Sequence, residues 1–505
     1  MVVAPEPAPP PTTSRPRARL RRPTLGGLVV GAALAAVLVV LCRRVGDPDF
    51  WWHMETGSWI IDHGALPSHE LFTDTATNRV WADQEWGSEV LGDLIFRGGG
   101  FLAFSLAYTA VTWAGFWFIW RRIAIERVPA LIAGACLAVA ALAGVLVWGP
   151  RSQMISFTFT CLTLYWVETY LRDHDRHLYL LPLVMVVWAN LHGGFVYGIA
   201  VVGLAAVTET VLWRVSPRDP AHRRRSLRLW ALLVACAVAG LINPLTFHAY
   251  LAAIQTQTSA IQQAFIAEWH SPNFHSSGEL GLELLLLLVV AAMALRRPRL
   301  WDALLTVVGI YAALSAVRNA PLAAAVLVPM VAWSFGGAWE RSRWRDRFAD
   351  WLRRRASDVF VLVSAGALLV AVGTVGVMAD TLHSQTASTD ANFPVGAANW
   401  LAAHPTVGTR MFNAYDWGGY LIYRFYPDAN RAVFIYGEAT ELGNPLLQQV
   451  SDVENAEPDW QHILTEHDVD YVIERTDSDL TMALSVDPQW KEVYKDSFAV
   501  IFVKR

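Results

Sequence analysis

Apolar runs of about 20 residues recur along the chain between short polar stretches, a rhythm that predicts membrane-spanning helices rather than a soluble core. Eleven spans are expected, at 25–41, 101–120, 128–148, 153–171, 178–191, 194–213, 227–242, 279–295, 300–317, 320–335 and 359–379. The long polar stretch 45–100 contains two segments of helical spacing, 55–63 and 85–96. They are expected to lie along the membrane interface, with Trp51, Trp52, Trp59, Trp81 and Trp86 at headgroup depth. Beyond residue 380 the pattern changes. Helix-like segments at 395–403 and 460–466 alternate with β-rich runs at 432–436, 471–474 and 499–503. The expected architecture is mainly α: a polytopic helical bundle over 25–379 with a large outer loop, followed by a small soluble α/β domain over 380–505. The Pro- and Arg-rich start, 1–24, is expected to be disordered and cytoplasmic.

Composition agrees with a membrane protein: 54% of the 505 residues are hydrophobic, 17% are charged, and the mean hydropathy is +0.32. A net charge of −4 offers no basic face for nucleic acid. The cations are almost all arginine, because lysine occurs only at 491, 495 and 504. Arginine clusters at 15–22, 121–127, 172–176, 214–228, 296–299 and 341–355 all fall on one side if the spans number about eleven. The positive-inside bias makes that side cytoplasmic and places the C-terminal domain outside, in a multi-pass protein of the plasma (inner) membrane. Arg43, Arg44 and Arg151 are the exceptions on the outer side. The four cysteines lie in or beside apolar spans and match no metal or redox spacing.

The outer side then collects the chemically capable residues. Asp47 and Asp49, held two apart by Pro48, can accept a proton from an attacking hydroxyl or hold a divalent cation such as Mg or Mn, and they also suit a charged helix stop. His53 and Glu55 follow closely. Glu85 stands out among the acids of 81–89, although acids at a helix start are also favoured by the helix dipole. Asn190 and His192 sit in a Gly-rich turn between two spans, where an imidazole at membrane depth often marks function. Arg151 and Arg318 stand at outer helix ends, where a guanidinium can grip phosphate oxygens in a fork or snorkel to headgroups. Glu268 and His270 lie in a loop over 243–278 able to cover a substrate. Asp49, His192, Arg318 and Glu268 should therefore line one outer hollow.

A first span followed by a large outer loop opening on "GDPDFWWHMETGSWIIDHGALP" resembles the GT-C-type glycosyltransferases, and loosely the DP-aromatic loop of oligosaccharyltransferase catalytic subunits. The stretches "WANLHGGF", "EWHSPNF" and "YDWGGYLIY" are similar to segments of bacterial membrane proteins of that broad group. No WWD-type sequon motif occurs in the tail, which argues against protein N-glycosylation. The resemblance implies a polyprenyl-phosphate-linked sugar as donor, a glycan, lipid or protein hydroxyl as acceptor, and direct inverting transfer. Asp47 or Asp49 would take the acceptor's proton, while Arg151 or Arg318 would neutralise the departing phosphate. A lipid flippase or transporter, or a non-catalytic envelope scaffold, are the alternative functions.

Overall fold

The computed structural model describes residues 24–81, 83–173 and 177–505, so the expected N-terminal arm lies almost wholly outside the described residues. All eleven expected spans are helical. α1 (Leu25–Leu41) begins at Thr24, whose hydroxyl accepts the Gly27 N–H at 3.1 Å. α2 (Phe50–His63) ends at Gly64, where a left-handed φ of 63° suits only glycine well. α3 (Trp86–Ile125) joins the expected interfacial segment 85–96 to the span 101–120. Gly99 and Gly100 leave helical geometry, so the two meet at a kink.

Next come α4 (Ala130–Ala143), α5 (Gln153–Leu171), α6 (Leu181–Ala189), α7 (Phe195–Val215) and α8 (Pro220–Ala239). α4 is shorter than the expected 128–148, because Trp148 folds back and its indole N–H donates to the Ala141 carbonyl at 2.7 Å. The supposedly loose stretch 243–278 carries α9 (His248–Thr258) and α10 (Ala260–Phe265). The bundle ends with α11 (Leu280–Leu295), α12 (Leu300–Ser315), α13 (Ala320–Glu340), α14 (Trp344–Arg354) and α15 (Ala356–His383). Among the described residues, five helices are long and apolar enough to cross a membrane: those containing α3, α7, α11, α13 and α15. These five make the chain a multi-pass membrane protein; α1, α4, α6 and α12 are shorter apolar helices.

α13 is the hub, packed against α3, α4, α5, α11 and α12, and its run Ala323-Ala324-Ala325 permits close backbone approach. Where α3 and α5 end, Arg122 is buried and gives two hydrogen bonds to Glu168, at 2.6 and 3.0 Å, and one to the Ala325 carbonyl. The Trp301 indole N–H adds a contact to Glu168 at 3.2 Å. Arg299 binds Asp302 and Glu126 alongside, at 2.6 and 3.0 Å. Charge this deep survives only because each carboxylate is paired.

The C-terminal part builds a four-stranded sheet from β1 (Met411–Asn413), β2 (Tyr471–Arg475), β3 (Trp490–Lys495) and β4 (Ala499–Lys504), in the order β1-β2-β4-β3. β1 and β2 run parallel, and the other pairs are antiparallel. The helices of this part are α16 (Gln385–Asn392), α17 (Val395–Ala403), α18 (Gly418–Phe425), α19 (Ala439–Leu442), α20 (Asn444–Glu454), α21 (Trp460–Glu466) and α22 (Asp479–Val486). The expected strand at 432–436 is not one. The Asn413 amide satisfies its backbone instead, accepting from Phe434 N–H and donating to Ile435 O. Val433 pairs with Thr73 in an isolated bridge, and the Phe434 carbonyl accepts the Thr75 hydroxyl at 2.7 Å.

Three of the five tryptophans expected at headgroup depth are also reassigned: Trp51, Trp52 and Trp81 are buried in protein, while Trp59 and Trp86 are half-buried. Trp51 packs edge-on against Phe393 and Tyr420, and Trp52 against Tyr436, which fastens the first loop to the C-terminal part. At that seam a Cβ on Gly419 would stand 2.6 Å from the Pro48 carbonyl oxygen.

Two stability outcomes follow. Arg122→Met leaves Glu168 buried without its cation and should cost about 3–5 kcal/mol. Thermal unfolding of the purified protein reads this, and Glu168→Leu in the same chain should recover most of the loss. Gly419→Ala should cost about 1–3 kcal/mol by overpacking, with faster hydrogen exchange on both sides of the seam.

Candidate active site

Helix ends converge with the C-terminal part around a cavity of about 350 Å³. Its walls come from 47–54 after α1, the start of α3, residues 150–153 before α5, 192–194 before α7, 266–269 before α11, Arg318 before α13, and residues 415–440. Asp49, His192, Arg318 and Glu268 all line it, together with Asp47, His53, Glu85 and Arg151.

The local fold sets each side chain. The Asp47 carboxylate accepts the Asp49 N–H at 3.0 Å, so the Asp-Pro-Asp turn is closed by its own first acid. Asp49 in turn accepts the Trp52 indole N–H at 3.0 Å. Burial, then the neighbouring charge of Asp47, pushes the Asp49 carboxyl up to about 6. Arg151 donates to Glu268 at 2.6 Å, lies 3.7 Å from Asp47, and gives its other terminal nitrogen to the Val147 carbonyl at 3.0 Å. Burial opposes ionisation of Glu268, yet Arg151 and Arg318 outweigh it and hold that carboxyl below its usual range. The Arg318 guanidinium stacks 4.3 Å from the Trp269 ring centroid, while its backbone carbonyl accepts from the Gln153 amide at 3.0 Å.

Glu85 is the centre of a second cluster. The Ser152 hydroxyl donates to it, His192 Nε2 lies 3.5 Å away and His53 Nε2 3.9 Å away. The Gly194 N–H donates to His192 Nδ1 at 2.8 Å, which leaves the ring proton on Nε2, facing Glu85. Burial draws His192 below its ordinary value despite Glu85. For Glu85 itself the burial penalty is outweighed by the two imidazoles and Ser152, and its carboxyl falls. His53 Nδ1 meets the buried Glu89 at 2.7 Å, and the Trp52 ring covers the imidazole 3.7 Å from its centroid.

Three expected residues stand outside the walls. Asn190 holds backbone and ring instead, donating to Val186 O and Ile242 O and accepting from the Trp86 indole. His270 bonds the Ala264 carbonyl at 2.9 Å. Glu55 points toward Asp93, Asp62 and Arg97, where burial and then Asp93 raise it to about 7.

Glu89, Tyr415 and Glu438 are among the wall residues that were not singled out from sequence. Glu89 belongs to a stretch that reads as a charged helix start. Tyr415 and Glu438 arrive from more than 350 residues beyond Asp49; Tyr415 opens the stretch YDWGGYLIY, whereas nothing in the flanks of Glu438 announces it. Burial, then the charges of Asp83 and Glu85, raises Glu438 to about 8, so near neutral pH it is a hydrogen-bond donor.

The site therefore has a cationic pole, Arg151 with Arg318, beside the Asp47–Asp49 turn and a His–Glu cluster. Forked guanidinium groups suit phosphate oxygens, and a partly ionised buried carboxylate suits proton uptake from a hydroxyl. A divalent cation between Asp47 and Asp49 fits poorly, since one faces Arg151 and the other holds Trp52. Among the described residues, no group of three or more His, Cys, Asp or Glu is arranged to hold a metal ion.

No protein-family model and no curated sequence matches the chain. Solved structures do. ArnT from Cupriavidus metallidurans in the apo state aligns over 94% of this chain and 97% of its own, at 17% identity and a TM-score of 0.52. The Archaeoglobus fulgidus oligosaccharyltransferase, tethered to an acceptor peptide containing the NVT sequon, aligns over 96% and 74%, at 12% identity and a TM-score of 0.55. Identities this low speak to backbone architecture alone, and at that level the chain has the GT-C fold of polytopic membrane glycosyltransferases.

Proposed function

We propose that the chain is an integral-membrane glycosyltransferase that moves a sugar from a polyprenyl-phosphate donor to a hydroxyl acceptor on the extracytoplasmic face, with inversion at the anomeric carbon. The observation that carries this reading is the single cavity in which the Asp47–Asp49 turn, the Arg151–Arg318 pair and the Glu85–His192 cluster meet, all delivered by helix ends on one side. The GT-C backbone supports it at the level of architecture.

The chemistry needs little beyond that set. A polyprenyl phosphate is already an activated leaving group, so orientation, one base and charge stabilisation suffice. Arg151 and Arg318 face the phosphate as negative charge grows on it. Asp49 takes the proton from the acceptor hydroxyl as the new glycosidic bond forms and the anomeric carbon–phosphate oxygen bond breaks. Asp47 is the weaker candidate base, because Arg151 already neutralises it. His53, Glu85, His192 and Glu268 line the remaining wall and bind sugar hydroxyls. The Arg clusters support a cavity that faces away from the cytoplasm, with the C-terminal domain over 380–505 on the outer side of the inner membrane.

With purified protein and lipid-linked sugars, Asp49→Asn should lower kcat by about 10²–10⁴-fold with little effect on donor KM. Unchanged transfer in both Asp49→Asn and Asp47→Asn removes the base assignment. Product-free movement of the lipid across liposomes would make the chain a flippase. Arg318→Gln should lower kcat/KM for the donor by about 10²–10³-fold.

The pH profile has a defined sign. Asp49 must be ionised to act, and its carboxyl sits at about 6. Transfer should stay level from pH 7 upward until Glu438 ionises at about 8. It should fall about tenfold per pH unit on the acid side. An acid limb starting near pH 4 would remove Asp49 from this role.

A further inference from the structure

α14 has no place in the chemistry of the cavity, yet its surface is the most sharply divided in the chain. Three residues join it to α13 and Arg355 alone joins it to α15. Both neighbours are long and apolar enough to cross a membrane, so the helix between them sits where a membrane meets water.

At 100° per residue, Trp344, Phe348, Trp351 and Leu352 share an arc of about 100°. Arg347 and Arg354 edge that arc on one side and Arg345 on the other, while Asp346, Asp350 and Arg353 occupy the back. No residue of α14 is buried, and Trp344 is 66% exposed. The aromatic strip continues into α13: Trp339 meets Phe348 at 5.7 Å, and Phe348 stacks on Trp351 at 5.8 Å.

Over 340–355 the chain carries seven arginines against three acids. The acids are partly occupied already, since Asp350 pairs with Arg353 at 2.7 Å and Glu340 with Arg345 at 3.1 Å. The apolar arc therefore faces one way, with Arg345, paired to Glu340, on one rim and Arg347 and Arg354 on the other, where no ion pair is found among the described residues.

We propose that α14 is a binding surface for anionic phospholipid, its aromatic arc seated among the outer acyl segments and Arg347 and Arg354 on headgroup phosphates. This surface lies on the membrane face opposite the cavity. α13 connects the two: Arg318 precedes its first residue, α14 follows its last, and its 21 residues span about 31 Å. Headgroup binding at one end sets the depth of the helix that carries Arg318 at the other. A protein partner is disfavoured because the arc is narrow and bordered by arginine on both sides, at the level where headgroups lie.

The test uses the full chain in nanodiscs of phosphatidylcholine alone or mixed with phosphatidylglycerol, reading amide hydrogen exchange across 344–354. Exchange should be about tenfold slower with phosphatidylglycerol, and added salt should erode the difference. The double substitution Arg347→Gln and Arg354→Gln should abolish the lipid dependence, whereas Trp344→Ser with Trp351→Ser should speed exchange in both lipids. Equal exchange of the wild-type chain in the two lipids overturns the proposal. So does protection that rises with protein concentration in either lipid, which would assign the face to a second copy of the chain.

Discussion

The ion pairing around Arg151 is the constraint on which the rest of the cavity depends. One guanidinium reaches Glu268 before α11, Asp47 after α1, and the carbonyl of Val147. Three stretches of chain with no sequence proximity are thereby held at one level of the bundle. Burial makes each of these charges costly alone, and the shared cation makes them affordable together. Asp47 faces that arginine, whereas burial and the neighbouring charge of Asp47 leave Asp49 as the acid with an intermediate ionisation.

The opposite end of the bundle is organised by the same physics with a different result. Arg122, Glu168, Arg299 and Asp302 also gather where helices end, but they satisfy one another almost completely. Little space remains between them. At the Asp49 end the polar groups line a cavity instead, where short turns end several helices and the C-terminal part closes over them. Paired charge without space is a clamp; paired charge around space is a site.

The seam between the first loop and the C-terminal part uses two of the tryptophans of 45–100. The rings of Trp51 and Trp52 pack against Tyr420, Tyr436 and Phe393. That packing brings Tyr415 and Glu438 into the cavity, so the tail is a wall of the site.

Much of this was legible in the residues alone. Apolar runs located helices at each of the eleven expected positions, since a bilayer leaves a chain few ways to satisfy its backbone except as helix. The Asp-Pro-Asp turn, Arg151, His192, Glu268 and Arg318 stood out because ionisable groups beside apolar helices are costly to place there. The tertiary structure alone decided which of them meet. It turned Asn190 and His270 into backbone partners, converted the 432–436 run from strand to side-chain-capped loop, and recruited Glu89, Tyr415 and Glu438. Periodicity reports one face of one element at a time, whereas a cavity is made where several elements end. The contacts that build it join residues hundreds of positions apart, and no local pattern encodes them.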